Sequence, residues 1–186
     1  MRLIAKILLI IAVFATMGVF ESNPLSLPWP AAVLAVLVVT FVATLIHELA
    51  HAGAAHWFGA DISKIVVLPF EFNTDGHRLR LVGRAGKGDL GGYVTYKLDR
   101  IAPRRKHAII AALGPAANLV TGFMAGWIAQ GLAVKMTPSL GETGNPIAPV
   151  LMAFAIVSVG MGLANLIPFD RSDGMRIWRY FRPISS

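Results

Sequence analysis

Residues 44–59 read TLIHELAHAGAAHWFG, which places His47, Glu48, His51 and His56 in a stretch otherwise uncharged and rich in apolar side chains. A helix of that composition suits lipid, where an ionisable side chain costs about 2.5–3.5 kcal/mol on insertion scales. Groups kept there need a compensating role. His47 and His51, at i and i+4, share a helix face, so this H-E-x-x-H can chelate one zinc ion. The intervening glutamate is placed to take a proton from activated water. The competing reading is two satisfied core histidines beside a coincidental glutamate. It suits a soluble helix better than a membrane span, where the polar groups would be buried unpaired. A structural zinc returns about 10–16 kcal/mol in favourable peptides, enough to offset that burial.

The composition agrees with a membrane setting. The chain has 186 residues, 55% of them hydrophobic and 15% charged, with mean hydropathy +0.63. Soluble domains carry about 25% charged residues. The length suits a single domain over residues 1–186. Cysteine is absent, which excludes disulfides, thiolate metal sites and cysteine nucleophiles, so any metal rests on His, Asp or Glu.

Four stretches are candidate spans, at about 3–20, 31–57, 107–134 and 148–168, since crossing a bilayer takes about 20 residues. The first is interrupted by Lys6, and its charged start and apolar core also fit a signal peptide. No A-x-A cleavage site follows, so a retained anchor is expected. With four spans, all of the 17 basic residues except Lys135 fall on one side, and the positive-inside rule makes that side cytoplasmic. The net charge of +7 is thus topological, and no nucleic-acid partner is expected. Both termini face the cytoplasm in this arrangement.

The loop 58–106 has a different character. KIVVLPFEF and HRLRLVG are β-rich runs joined at Asn73-Thr74-Asp75-Gly76, a strong turn signal, and GGYVTYKL follows at 91–98. The fold expected is mainly α and polytopic, with about four transmembrane helices and a small membrane-associated β-hairpin or three-stranded sheet between helices 2 and 3. The tail after 174 is too short for another domain.

A catalytic zinc usually has three protein ligands and one open position. An H-E-x-x-H-x-x-G-x-x-H arrangement fails, because position 57 is Trp, position 54 is Ala and His56 comes one step early. Glu71 begins an E-x-x-x-D, but Pro69 precedes it and a turn follows, so it reads as strand where that ligand needs a helix. Asp173, in NLIPFDRSDG, ends the fourth span on the cytoplasmic side. His47 lies ten residues inside the same side of its own helix, about 15 Å at 1.5 Å per residue. A dip of the 168–174 segment lets them meet, and non-helical backbone is tolerated at that depth where it lines a protected cavity.

These features in order resemble the site-2 protease family of intramembrane zinc metalloproteases: HELAH at 47–51, LGGYV at 90–94, GPAAN at 114–118 and N-x-x-P-x-x-x-x-D-G at 165–174. The resemblance is to a minimal form, with no PDZ-like or nucleotide-sensing domain expected. It implies one Zn2+ per chain held by His47, His51 and Asp173, with Glu48 as the catalytic base. It sets Asn118 and Asn165 near the active centre, on substrate or on the oxyanion. It also implies that Gly91, Gly92 and Tyr93 belong to a β-loop on which an unwound substrate segment adds as an extra strand. Phe169, Asp170, Arg171 and Ser172 depart from the family's apolar, proline-containing approach to the aspartate, and Met175 stands where a second glycine is expected. Asp170 therefore remains an alternative third ligand.

The function expected is zinc-dependent endopeptidase action on peptide bonds in or near transmembrane segments of membrane-protein substrates. The setting expected is a prokaryotic plasma membrane, with the site opening on the cytoplasmic side. The main alternative is a catalytically silent, zinc-stabilised adaptor that binds transmembrane helices. Retention of Glu48 argues against it, since a structural site needs no general base. A metal or proton transporter is a third class that intramembrane His and Asp allow.

Overall fold

The computed structural model describes residues 2–21, 28–83, 91–99, 101–134, 145 and 147–182. In chain order the elements are α1 (Arg2–Glu21), α2 (Trp29–Trp57), β1 (Asp61–Val67), β2 (Phe70–Asn73), β3 (Arg78–Leu81), β4 (Gly92–Lys97), α3 (Pro103–Val134), α4 (Ile147–Leu166) and α5 (Asp173–Phe181). Among the described residues the chain is mainly helical, with one small antiparallel sheet. Among the described residues three helices, α2, α3 and α4, are long and apolar enough to cross a membrane. The apolar stretch of α1, Ile7–Phe20, is shorter.

Local chemistry sets the bounds of α2. Pro28 and Pro30 open it, in positions where a missing N–H costs nothing. Gly59 closes it at φ +71°, with Ala60 N donating to Ala55 O at 2.9 Å and Gly59 N to His56 O at 2.9 Å. This is a Schellman stop, which favours glycine at the left-handed position, and it turns the chain straight into β1. Along α2, Thr40, Thr44, His47, Glu48 and His51 recur at helical spacing, and all but Thr40 are fully buried. The hydroxyls of Thr40 and Thr44 donate to carbonyls one turn back, at 2.7 and 2.8 Å, so neither is left unpaired.

The helices pack through small residues. A Cβ on Gly122 of α3 would lie 2.8 Å from Val159 Cγ2, one on Gly162 of α4 3.0 Å from Pro115 O, and one on Gly160 2.7 Å from Ala12 of α1. Close backbone approach of this kind is how helices associate when lipid supplies no hydrophobic driving force. Phe20, Val36, Val39, Ala43, Val157 and Met161 form the main buried cluster. Leu34, Leu37, Phe123, Trp127 and Leu163 point outward and are exposed.

The sheet has the order β3-β2-β1-β4. Asn73-Thr74-Asp75-Gly76 does turn the chain, with Asp75 N donating to Asn73 Oδ1 at 3.0 Å. The run 64–72, read from sequence as one strand, is split by a turn at Leu68–Pro69 into β1 and β2, so the sheet has four strands instead of two or three. Proline cannot donate to the ladder, which is why the run breaks there. β4 pairs with β1 through Val66↔Tyr93 and Val67↔Gly92. Leu90, the Gly-Lys-Gly-Asp stretch at 86–89 and most of the two loops at 21–30 and 136–146 lie outside the described residues.

Beyond the fourth candidate span the chain forms a further helix. α4 ends at Leu166, two residues short of the expected boundary, and the tail folds as α5. Ser172 caps α5 by accepting from Met175 N at 3.1 Å, and it also accepts from Phe169 N at 3.0 Å. Phe169 is buried against Ala164, and a Cβ on Gly174 would fall on the Leu166 carbonyl. The turn is therefore folded tightly back onto the end of α4, which carries Asp173 inward.

Candidate metal centre

Four elements meet around His47. The Nε2 atoms of His47 and His51 lie 3.1 and 3.2 Å from Asp173 Oδ2, and 3.1 Å from each other. Tetrahedral zinc with ligand bonds of about 2.0–2.1 Å separates its ligands by about 3.3–3.4 Å. The triangle is thus close to one face of such a site. All three residues are buried, and together they could hold a metal ion. Asp170, the alternative, is exposed on the turn.

The donor pattern points the same way. His51 Nδ1 is 2.7 Å from the Ile110 carbonyl. A carbonyl only accepts, so this nitrogen carries the proton and the neutral ring turns its Nε2 lone pair toward Asp173 Oδ2. Two acceptors facing each other at 3.2 Å call for a cation between them. Asp173 opens α5, and the helix N-terminus beside it favours the ionised carboxylate that a metal ligand requires.

Space is kept for such a cation by Gly114 of α3. A Cβ there would fall on the His51 imidazole and 2.9 Å from His47 Nε2. Asn118, one turn further along α3, is fully buried behind His47, its Nδ2 3.2 Å from His47 Nδ1, while its Oδ1 has no hydrogen-bond partner. Turning this amide over would let the orphaned oxygen accept from a protonated Nδ1. His47 Nε2 would then be left unprotonated for a metal, the arrangement in which a ligating imidazole is oriented from behind.

One cleft of about 50 Å3 joins these groups, lined by His47, Glu48, His51, Gly92, Tyr93, Asn165 and Asp173 among others. That volume holds a few waters. Gly92 brings β4 hard against Glu48, since a Cβ there would lie 2.7 Å from the Glu48 carboxylate and 2.9 Å from Val66 O. Gly91, at φ +105°, sets the turn into β4, and its carbonyl accepts from Leu68 N at 2.9 Å. Of the residues singled out by sequence, Asn118 and Gly91 support the cleft without lining it. Glu71 lies on β2, paired with Lys64 at 3.5 Å, and His56 is exposed. Sequence reading passed over the spacing role of Gly114, noted there only as part of GPAAN at 114–118, and over Thr44, Tyr96 and Arg176, which also line the cleft.

The family model for peptidase family M50 matches residues 33–145. The chain belongs to that family, the site-2 proteases. It is 26% identical over 142 residues to a zinc metalloprotease of Methanocaldococcus jannaschii, an alignment covering 76% of this chain and 32% of that protein. The chain thus spans about a third of the length of the curated relative it matches. A comparison with solved structures finds no match. Family membership and three apolar helices mark a membrane protein of metalloprotease type with a potential His-His-Asp metal site.

Proposed function

We propose that the chain is a zinc-dependent intramembrane endopeptidase, a single domain that cleaves peptide bonds in or near transmembrane segments of other membrane proteins. The observation that carries this reading is the coincidence, in one cleft, of a buried three-ligand corner and a general-base carboxylate. His47, His51 and Asp173 hold one zinc per chain. When bound, zinc supplies a Lewis acid that polarises a carbonyl and lowers the pKa of water.

The remaining chemistry belongs to the protein's own side chains. Glu48 takes the proton of the attacking water and delivers it to the leaving amine, which requires a carboxylate on the cleft wall. Asn165 lines the cleft and serves as a hydrogen-bond donor to the carbonyl oxygen as it gains charge. A helical substrate hides its peptide bonds, so the segment must be drawn out. β4 is an end strand of the sheet, and its Gly92–Tyr93 start borders Glu48. An extended segment added along it has its backbone held beside the base.

On this reading α1 makes a fourth crossing beside α4, the basic loops and both termini lie in the cytoplasm, and the cleft admits water from that side of a prokaryotic plasma membrane. The test is terminal-peptide mass spectrometry on membranes of cells carrying wild type or Glu48→Gln. New termini within or beside transmembrane segments that vanish in Glu48→Gln, with zinc content unchanged, are expected. Identical termini in both would leave binding without cleavage, the adaptor function.

A further inference from the structure

Beside the cleft lies a second, larger cavity of about 550 Å3, formed where β4, the start of α3 and α5 converge. Its walls carry three guanidinium groups, Arg104, Arg176 and Arg179, with His107, Tyr93 and Tyr96. No carboxylate lines it among the described residues. Arg104 spends its Nη2 on the Arg179 and Arg182 carbonyls, at 2.7 and 2.8 Å, and so ties the end of α5 to α3. Arg176 reaches Asp173 Oδ1 only at 3.8 Å. The Arg179 side chain is exposed.

Two features fix what such a groove suits. It is continuous with the metal cleft, sharing Tyr93, Val94, Tyr96 and Arg176 with it. It also runs beside β4, which pairs with β1 on one side and with no described strand on the other. An unpaired strand edge offers main-chain hydrogen bonds to an extended peptide. The guanidinium groups next to that edge favour carboxylates in the same segment.

We infer that this groove is an acidic-peptide subsite, selecting substrates that carry Asp or Glu in the extended segment flanking the cleaved bond. This rests on the proteolytic reading and names a substrate feature within it. Arg179 and Arg176 make the contacts, while Arg104 is a positioning residue that holds α5 in place. Exposed ion pairs are individually weak, so the contacts of Arg179 and Arg176 together give a preference of about tenfold.

The experiment uses the full chain carrying Glu48→Gln in phosphatidylcholine nanodiscs, so that binding is read without cleavage. The probes are fluorescent Thr/Val decapeptides bearing three Asp, three Ser or three Lys, followed by anisotropy. The Asp peptide is expected to bind about tenfold tighter than the Ser peptide, with affinity falling as salt rises. Adding Arg179→Glu should remove most of the preference for the Asp peptide over the Ser peptide while zinc content stays unchanged, which shows the fold intact. Equal binding of all three peptides, or of none, overturns the inference. So does displacement of the Asp peptide by 30% phosphatidylglycerol in the disc, since the groove is then a lipid-headgroup site. Failure of the proteolytic reading looks different, as Asp-selective binding with no Glu48-dependent termini in cells.

Discussion

Two carboxylates, Asp173 and Glu71, each follow the H-E-x-x-H at a position a third ligand could occupy, and the fold treats them oppositely. Asp173 opens α5 under a capped turn, buried within 3.1–3.2 Å of two imidazole nitrogens. Glu71 sits on a strand, 3.5 Å from Lys64, on a sheet face where its partner stays accessible. One carboxylate is held between groups that cannot all be satisfied without a cation. The other is an ordinary, partly covered ion pair that no cation is needed to satisfy. What separates them is not sequence distance from the histidines but the turn at 167–172, which folds back onto α4 and buries Asp173 and Gly174 at the start of α5.

That contrast can be broken most severely at the corner itself. His47→Ala or Gly114→Val should abolish zinc binding and proteolysis together. The first removes a ligand, and the second fills the space that Gly114 keeps open beside His51 and His47. Elemental analysis of purified protein checks both. Glu48→Gln should lower cleavage of a reporter by about 10²–10⁴-fold, the usual contribution of a general base, while leaving zinc content at the wild-type level. Asn118→Leu should weaken zinc affinity by about 10–100-fold, the usual cost of losing an orienting partner, and Asn118→Asp, which keeps an acceptor behind His47, should recover much of it in a chelator competition. Smallest of all, Glu71→Ala should shift thermal stability by no more than about 1 kcal/mol and leave zinc untouched.

Much of the corner was legible in the sequence because its signals are local and periodic. The i, i+4 histidines lie on one face of any helix, and Asn73-Thr74-Asp75-Gly76 turns wherever it is put. Asp173 could be reached by topology, since the basic residues place its end of the fourth candidate span on the side where His47 lies. Less legible were features that depend on a partner elsewhere. Proline breaks the β-rich run at Leu68–Pro69, but that the two halves pair with each other, and β1 with β4 and β2 with β3, is decided only in the fold. Gly114 matters only once α3 lies across α2, at a distance that leaves no room for a side chain. Asn118 was expected on the substrate side and lies behind His47, a distinction that helix rotation decides and composition does not. The tail at 173–181 had a signal that was passed over, for Ser172 is a good helix cap and Arg176 and Arg179 recur at helical spacing.

The central claim is that Asp173, folded back by its turn, completes a metal corner with His47 and His51. Zinc per chain, measured by elemental analysis on wild type, Asp173→Ala, Asp170→Ala and Glu71→Ala, tests it directly. One zinc in wild type, kept in Asp170→Ala and Glu71→Ala and lost or severely weakened in Asp173→Ala, is the predicted result. Zinc retained in Asp173→Ala but lost from either of the other two would contradict it and move the third ligand elsewhere.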